Sequence, residues 1–268
     1  MKTFKDVLKD QTVSTDLWLL VVGRVGQGKS TLTNSIVELE EEIAEEGAHA
    51  KICTSTIHSC VYPNLIPGID VTVIDSPGLQ DTHEREQSYI QAIKNKCQEV
   101  SLVLYCIKMT DQRFTNDEKI TMQKLYQAFG PKFWERVMFV LTFANDERVD
   151  REDDSRDKPA QEPVNDEKEL MKTRFVGRFE LRVTELKELL LKVGAGFDSN
   201  ILKNIKFIPA GWYKKDHFCR NPSQLPDRDN WLKDLLKSCH KQIKNTHKFS
   251  RLSLNDSKLN TSMMHNYM

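Results

Sequence analysis

A glycine-rich segment placed directly after an apolar run constrains this chain more than any other feature. The apolar run covers residues 17–22, and residues 23–30 follow it with the pattern G-x-x-x-x-G-K-S. Glycines let the backbone turn tightly, so that consecutive N–H groups face phosphate oxygens. In this pattern the lysine reaches the terminal phosphates and the serine hydroxyl binds Mg²⁺. The segment therefore predicts a phosphate-binding loop between a strand and a helix, formed by Gly23, Arg24, Val25, Gly26, Gln27, Gly28, Lys29, Ser30 and Thr31.

Apolar strands alternate with helical segments along the rest of the chain. The further strands that we predict are 71–74, 102–107, 137–141 and 205–209, with weaker candidates at 50–53 and 59–62. The predicted helices are 30–42, 84–100, 116–129, 166–193 and 230–244. Buried strands separated by helices are typical of a mostly parallel sheet that is covered on both faces. The pattern therefore predicts the α/β fold of the P-loop NTPases.

Composition and charge argue against several classes of protein. Among 268 residues the 39 Lys and Arg balance the 39 Asp and Glu, so the overall charge does not favour a nucleic-acid partner. No apolar run approaches eighteen residues, and we expect no transmembrane segment. The six cysteines form no C-x-x-C pair, and residues 1–6 lack the apolar core of a secretory signal, so we expect reduced thiols without a structural zinc. We therefore expect a cytoplasmic protein.

Two segments differ in composition from this alternating core. Residues at about 146–167 are rich in acidic side chains and contain Pro159 and Pro163, which predicts a solvated insert. Residues 246–268 are polar and basic, which predicts an unstructured tail. A solvated tail is the simpler interpretation, and peripheral contact with an anionic membrane is the alternative. We accordingly divide the chain into a domain over residues 1–245 and a tail over residues 246–268.

A second motif, D-x-x-G, follows the strand at 71–74. Asp75 stands at the end of that strand, where a carboxylate holds Mg²⁺ in nucleotide-binding proteins of this kind. Gly78 offers a backbone N–H to the γ-phosphate. ATPases of this fold more often carry a second carboxylate directly after the aspartate, and Ser76 stands there instead. The motif thus favours a GTPase.

A threonine that coordinates Mg²⁺ and senses the γ-phosphate is expected between these two motifs. The polar run at 54–56 holds the best candidates, of which we favour Thr56 and keep Thr54 as the second choice. The predicted Mg²⁺ ligands are then Ser30, Thr56 and Asp75.

The residues expected to bind the base follow the last two strands of the predicted sheet. An N/T-K-x-D element normally reads guanine, and this chain has Thr142, Phe143, Ala144 and Asn145, with Asp146 one residue later. A carboxylate accepts two N–H bonds from guanine, whereas an asparagine accepts through a single oxygen. Whether Asn145 or Asp146 reads the base stays open. After the last strand, Ala210 and Gly211 are expected to reach the base through backbone N–H groups.

These motifs together resemble the immunity-associated GTPases of the GIMAP/AIG type, which are related to the chloroplast outer-envelope import GTPases. The resemblance covers roughly residues 15–245 and is carried by 23–31, 75–82 and 112–118. The last stretch, Q-R-F-T-N-D-E, is similar to a box that small GTPases lack. Residues 142–145 resemble the T-H-A-Q variant of the import GTPases.

The resemblance implies a G domain that binds GTP and GDP with Mg²⁺ and forms GTP-dependent homodimers or oligomers. Many relatives carry a hydrophobic C-terminal segment, whereas the tail at 246–268 is polar and basic. Membrane attachment is therefore not expected to follow the pattern of those relatives.

Two residues near the expected γ-phosphate position indicate slow hydrolysis. Leu79 stands where Ras-like enzymes place a water-orienting glutamine, and Val25 fills a loop position that small GTPases keep as glycine. Lys29 is the main catalytic candidate, and Arg24 is a candidate arginine finger on a partner's nucleotide. The main hypothesis is a slow GTPase that switches by dimerising. The alternatives are a GTP-binding assembly module with negligible turnover and an ATP-dependent enzyme.

Overall fold

The described part of the chain alternates between strands and helices. In the computed structural model this part comprises residues 16–41, 57–66, 68–76, 78–79, 83–97, 99–111, 114–146, 167–193, 199–212, 223–245 and 252–254. Its strands are β1 Asp16–Val22, β2 His58–Ile66, β3 Ile69–Asp75, β4 Glu99–Val100, β5 Leu102–Lys108, β6 Val137–Thr142, β7 Lys206–Pro209 and β8 Leu252–Ser253. Its helices are α1 Lys29–Glu41, α2 His83–Lys96, α3 Asn116–Phe129, α4 Pro131–Trp134, α5 Glu167–Val193, α6 Ser199–Asn204 and α7 Trp231–Asn245, with a 3₁₀ turn at Ala144–Asp146.

The main sheet has the strand order β2-β3-β1-β5-β6-β7. Its pairs are parallel from β3 to β7, and β2 alone runs antiparallel to its neighbour β3. Strand β1 is central because its two edges pair with β3 and β5, through Val21 opposite Asp75 and Val22 opposite Tyr105. The predicted mostly parallel sheet is therefore confirmed.

The order of the strands brings the predicted functional segments to one edge. In an open parallel sheet, ligands bind outside the carboxyl ends of the strands, where the strand order reverses. Here β1 leads into the glycine-rich loop, β3 ends at Asp75, β6 at Thr142 and β7 at Pro209. All four carboxyl ends lie at the same edge of the sheet because these strands are parallel to one another.

The sheet is held by a core of aliphatic and aromatic side chains. Strand β6 is buried along its whole length, and β5 is buried except at its last residue. The Phe139 ring lies 5.1 Å from the Tyr105 ring and 5.4 Å from the Phe207 ring, measured between centroids. Such ring pairs add about 0.5–1.5 kcal/mol each beyond the area that they bury. The core thus fixes the strand ends that carry the loops.

Two boundaries differ from those predicted from the sequence. The helix expected at 84–100 ends at Lys96, because Val100 instead pairs with Leu252 in the two-stranded sheet of β4 and β8. Part of the tail at 246–268 is therefore ordered, and Leu254 after β8 is buried. The apolar Leu254 explains the difference, since its burial offsets the cost of ordering this short segment.

Other sequence predictions lie outside the described residues. These are the weak strand at 50–53 and most of the acidic insert, residues 147–166. The other weak strand candidate, 59–62, lies within β2. Among the helices that the structure describes, none is both long enough and apolar enough to span a bilayer.

Candidate nucleotide site

The glycine-rich loop between β1 and α1 has the backbone shape that its sequence predicts. Gly26 and Gly28 adopt φ values of 78° and 76°, a region that side chains other than glycine disfavour. A Cβ atom at Gly28 would lie 2.7 Å from the Phe143 ring, and one at Gly23 would lie 2.6 Å from the Cys106 carbonyl oxygen. Gly23 and Gly28 are thus required by close neighbours as well as by their conformation. Helix α1 continues directly from this loop.

Lys29 is held across the loop by its own backbone. Its Nζ donates to the carbonyl oxygen of Arg24 at 2.9 Å, and the residue is 6% exposed. Burial lowers the pKa of the Lys29 ammonium, and nearby Cys106, Asp75 and Glu118 act in the opposite direction. A buried cation of this kind is stabilised strongly by an anionic ligand. The arrangement therefore suits a phosphate.

Ser30 and Asp75 meet at the mouth of the loop. The Ser30 hydroxyl donates to Asp75 Oδ2 at 3.0 Å, and Asp75 is 4% exposed. A hydroxyl and a carboxylate are oxygen ligands of the type that Mg²⁺ prefers, so the two side chains fit that ion. Thr56, the third predicted ligand, and Thr54 lie outside the described residues. Their roles stay predictions.

Gly78 and Leu79 pack directly on the glycine-rich loop. Val25 N–H donates to the Leu79 carbonyl, and Leu79 N–H donates to the Gly23 carbonyl, both at 3.2 Å. A Cβ atom at Gly78 would lie 2.6 Å from the Val25 side chain, so glycine is required here by contact with the loop. The Leu79 side chain is buried in the core. The predicted contact of Gly78 with a γ-phosphate remains a prediction.

Arg24 has a different environment from the one predicted for an arginine finger. Its guanidinium donates to Thr115 Oγ1 at 3.0 Å and to Asp117 Oδ2 at 3.2 Å, and its side chain is 17% exposed. Thr115 is the N-cap of α3, and its side chain also accepts from Glu118 N–H. These bonds hold the Arg24 side chain against the start of α3, and its role as an arginine finger stays a prediction.

Gln27 and Thr142 fasten the loop to the ends of β5 and β6. The Gln27 side chain accepts from Lys108 N–H at 2.6 Å and donates to Asp111 Oδ2 at 3.1 Å. The Thr142 hydroxyl donates to the Gln27 carbonyl at 3.0 Å. The Thr142 hydroxyl thus bonds to the phosphate loop, and the predicted contact of Thr142 with the base stays a prediction. Sequence reasoning missed the roles of the Gln27 side chain, Lys108 and Asp111, because no local motif marks them.

The other predicted base residues are brought together beside the loop. Ala144 N–H donates to the Ala210 carbonyl at 3.0 Å, and Asn145 is bonded to the backbone of Trp212 in both directions. A Cβ atom at Gly211 would lie 2.7 Å from the Trp231 indole nitrogen and 3.2 Å from the Asn145 side-chain carbon. Asp146 is exposed at the end of the 3₁₀ turn. These contacts fix the segment after β7 against both α7 and the turn.

A cleft of about 330 Å³ opens at this edge of the sheet. Its volume is in the range of small-molecule sites. It joins the glycine-rich loop to the segment after β3 and to an aromatic side chain beyond β6. The lining residues are Val25, Gly26, Gly28, Lys29, Ser30, Thr31, Gly78, Tyr89 and Phe143.

Solved structures with the same fold are known. The chain superimposes on Toc33 from Arabidopsis thaliana in complex with Mg²⁺ and GMPPNP with a TM-score of 0.61, covering 88% of this chain and 87% of that one at 18% identity. For Toc33 in complex with GDP and Mg²⁺ the TM-score is 0.60, with coverage of 87% and 86% and 17% identity. These likenesses confirm the predicted fold class, that of a P-loop G domain.

Immune-associated nucleotide-binding proteins and chloroplast translocases are similar to this chain in sequence. Immune-associated nucleotide-binding protein 12 of Arabidopsis thaliana is 28% identical over 185 residues, which cover 64% of this chain and 45% of that protein. A translocase of chloroplast 34 homolog of Chlamydomonas reinhardtii is 25% identical over 138 residues, which cover 48% and 35%. The matched region is thus less than half of either relative.

The family resemblance inferred from the motifs is confirmed by a family model. The model of the AIG1 family matches residues 17–178, from β1 into the first half of α5. This stretch contains the glycine-rich loop, Asp75 and the turn that carries Asn145. Because the match covers more than half of the residues, the chain belongs to the AIG1 family.

Proposed function

We propose that this chain binds GTP and GDP with Mg²⁺ and hydrolyses GTP slowly. The observation that carries the proposal is the buried Lys29 ammonium beside the paired Ser30 and Asp75 oxygens at the carboxyl edge of the sheet. Lys29 and the loop N–H groups would neutralise the phosphates, and Ser30 and Asp75 would hold the ion, which supplies further charge neutralisation when bound. The Toc33 complexes with Mg²⁺ and GMPPNP or GDP support this assignment.

Slow turnover is supported by Leu79. Its apolar side chain is 1% exposed and has no group that orients water for in-line attack. Val25, in contrast, is 55% exposed on the loop, where it presents an apolar surface to solvent. Dimerisation is described as important for the GTPase activity of the chloroplast translocon components Toc33 and Toc159. We propose that GTP likewise drives dimers of this chain and raises its turnover.

A GTP-gated assembly module without turnover is the second candidate. It is favoured by the two backbone hydrogen bonds between Leu79 and the loop, which would have to rearrange before a water could be placed there. Specific activity that rises with protein concentration supports the slow, dimerising GTPase. Nucleotide-dependent oligomers without phosphate release support the assembly module.

The test of the proposed function is a titration of the purified chain with fluorescent GTP, GDP and ATP analogues in Mg²⁺, with molar mass followed by light scattering. We expect guanine nucleotides to bind and GTP to increase the mass. ATP binding equal to GTP binding would contradict the proposal and favour the ATP-dependent alternative. The division at residue 245, the cytoplasmic location and the membrane contact of the basic tail stay predictions.

The substitution Arg24→Met is expected to weaken GDP binding roughly fivefold. The Arg24 carbonyl holds Lys29, and the Arg24 side chain anchors that backbone to Thr115 and Asp117. Loss of the hydrogen bonds from this partly exposed side chain is expected to cost about 1 kcal/mol of binding free energy. Calorimetric titration with GDP measures the effect.

Arg182→Met is the matched control for Arg24→Met. Arg182 is similarly buried and pairs with Glu185 at 2.8 Å on α5, away from the loop. It should leave GDP affinity unchanged. An equal loss of affinity in both variants would show that Arg24 has no specific role at the loop.

A further inference from the structure

The side-chain amide of Asn145 forms a reciprocal pair with the backbone of Trp212. Asn145 Nδ2 donates to the Trp212 carbonyl, and Trp212 N–H donates to Asn145 Oδ1, both at 3.1 Å. The pair fixes the amide orientation, because a flipped amide would set donor against donor and acceptor against acceptor. Gly211 lies between the Asn145 side chain and the Trp231 indole, so the backbone beside the pair also packs against α7.

This pair uses the group with which Asn145 would read guanine. Guanine presents two donors at its Watson–Crick edge, the N1–H and the exocyclic amino group, and a reader must accept from both. The one acceptor atom of Asn145 already accepts from Trp212. Since the amide nitrogen only donates, Asn145 cannot provide the two acceptors that a carboxylate provides.

Asn145 is bonded to Trp212, and the Trp212 ring in turn contacts the Phe143 ring. The Trp212 ring stands at 71° to the Phe143 ring with centroids 5.6 Å apart, and Phe143 lines the cleft beside the phosphate loop. Phe143 is held at a φ of 55°, and Lys108 Nζ lies 5.3 Å from the centre of its ring. A non-glycine residue in this conformation persists only where its surroundings fix it. Here Lys108, Gly28 and the Trp212 ring surround it.

We propose that Asn145 is a positioning residue for an aromatic wall of Phe143 and Trp212, against which the purine base packs. The inference rests on the proposed function, since it assumes that a purine nucleotide occupies the cleft. Packing against a ring does not depend on the substituents of the base, because every base has a π-face. Loss of Asn145 should therefore weaken the binding of all purine nucleotides alike.

The experiment compares GDP with IDP, which lacks only the exocyclic amino group that a guanine reader contacts. Both are titrated calorimetrically into the unmodified chain and into Asn145→Ala. We expect Asn145→Ala to lower both affinities by the same factor, roughly tenfold for a weakened base stack, and to leave the GDP-to-IDP ratio unchanged. A selective loss of GDP affinity that brings GDP down to IDP would overturn the inference, because Asn145 would then read the amino group.

A second variant, Trp212→Phe, keeps the backbone pair with Asn145 and stays usable if Asn145→Ala does not fold. GDP should change the tryptophan fluorescence of the unmodified chain, and this change should disappear in Trp212→Phe. Persistence of the change would overturn the placement of Trp212 at the base.

Asn230→Ala is the matched control for Asn145→Ala. Asn230 Oδ1 accepts a hydrogen bond from Lys233 N–H at 2.8 Å at the start of α7. This variant should leave both affinities unchanged, and a tenfold loss would mean that destabilisation alone explains Asn145→Ala. If the unmodified chain binds neither GDP nor IDP, the proposed function itself fails, which is a different outcome from a selective loss of GDP.

Discussion

Replacing Lys29 by alanine is expected to lower the affinity for GDP and GTP by at least about a hundredfold. In a site with little water, a cation contributes about 3 kcal/mol or more to the binding free energy of an anion when no other group can replace its charge. This energy corresponds to a factor of about a hundred in affinity. Lys29 meets both conditions, because it is 6% exposed and is the lysine that lines the cleft. The affinities are measured by calorimetric titration in Mg²⁺.

The same substitution should not destabilise the fold. Burial lowers the pKa of the Lys29 ammonium, which means that the folded state holds the charge at a cost when no anion is present. Lys29→Ala is therefore expected to melt at or above the temperature of the unmodified chain without nucleotide, and to lose the rise in melting temperature that GDP produces. The substitution is thus expected to weaken nucleotide binding without lowering the stability of the nucleotide-free fold.

Lys172→Ala is the control for the removal of a lysine charge. Its ammonium lies 3.4 Å from Glu169 on the exposed surface of α5. This variant should bind GDP normally. Unchanged GDP affinity in Lys29→Ala would refute the assignment of the phosphate site.

The sequence predicted those parts of the site in which the functional residues lie within one continuous segment of the chain. The loop at 23–30 follows a strand and begins a helix, and its turn depends on glycines that the sequence displays directly. Asp75 was predictable because it ends an apolar strand and is followed by a glycine three residues later. The parallel sheet followed in turn from apolar segments of strand length separated by helices.

The contacts that the sequence could not predict join segments far apart in the chain. Arg24 and Asp117 are separated by 93 residues, and Asn145 and Trp212 by 67. Such pairs depend on the order of the strands and on the angles of the connecting loops, neither of which a local pattern determines. The bonds of Arg24 to Thr115 and Asp117 could not be predicted for this reason, although Arg24 occupies the loop position expected from the motif.

The T-x-x-E pattern at 115–118 marks the start of α3 in the sequence. It matches the sequence pattern of a capping box, which predicts that Thr115 caps a helix. The structure confirms the cap and also buries the glutamate of the pattern, so that one short motif both begins α3 and contributes to the surroundings of the phosphate loop.

Stability should fall as the pH rises through neutrality because of Glu118. This residue is 3% exposed, and the Tyr105 hydroxyl donates to its Oε1 at 2.6 Å. Burial raises the pKa of the Glu118 carboxyl from 4.5 to about 7, against the opposing effects of the Tyr105 bond and of Arg24 and Lys29. The folded state therefore binds the proton more tightly than the unfolded state does. Its stabilising contribution is complete below pH 4.5 and is lost as the pH rises through about 7.

Glu118→Gln should remove this dependence, because the amide is neutral at every pH and its oxygen still accepts from Tyr105. We expect the variant to match the unmodified chain near about pH 4 and to exceed it by about 3 kcal/mol near about pH 9, measured by urea unfolding. Stability is therefore compared as the difference between variant and unmodified chain at each pH, so that contributions common to both cancel. Glu188→Gln, on the exposed side of α5, controls for a loss of charge and should show no such difference. A constant difference across the pH range for Glu118→Gln would mean that the carboxyl stays ionised in the folded state, with Arg24 and Lys29 outweighing its burial.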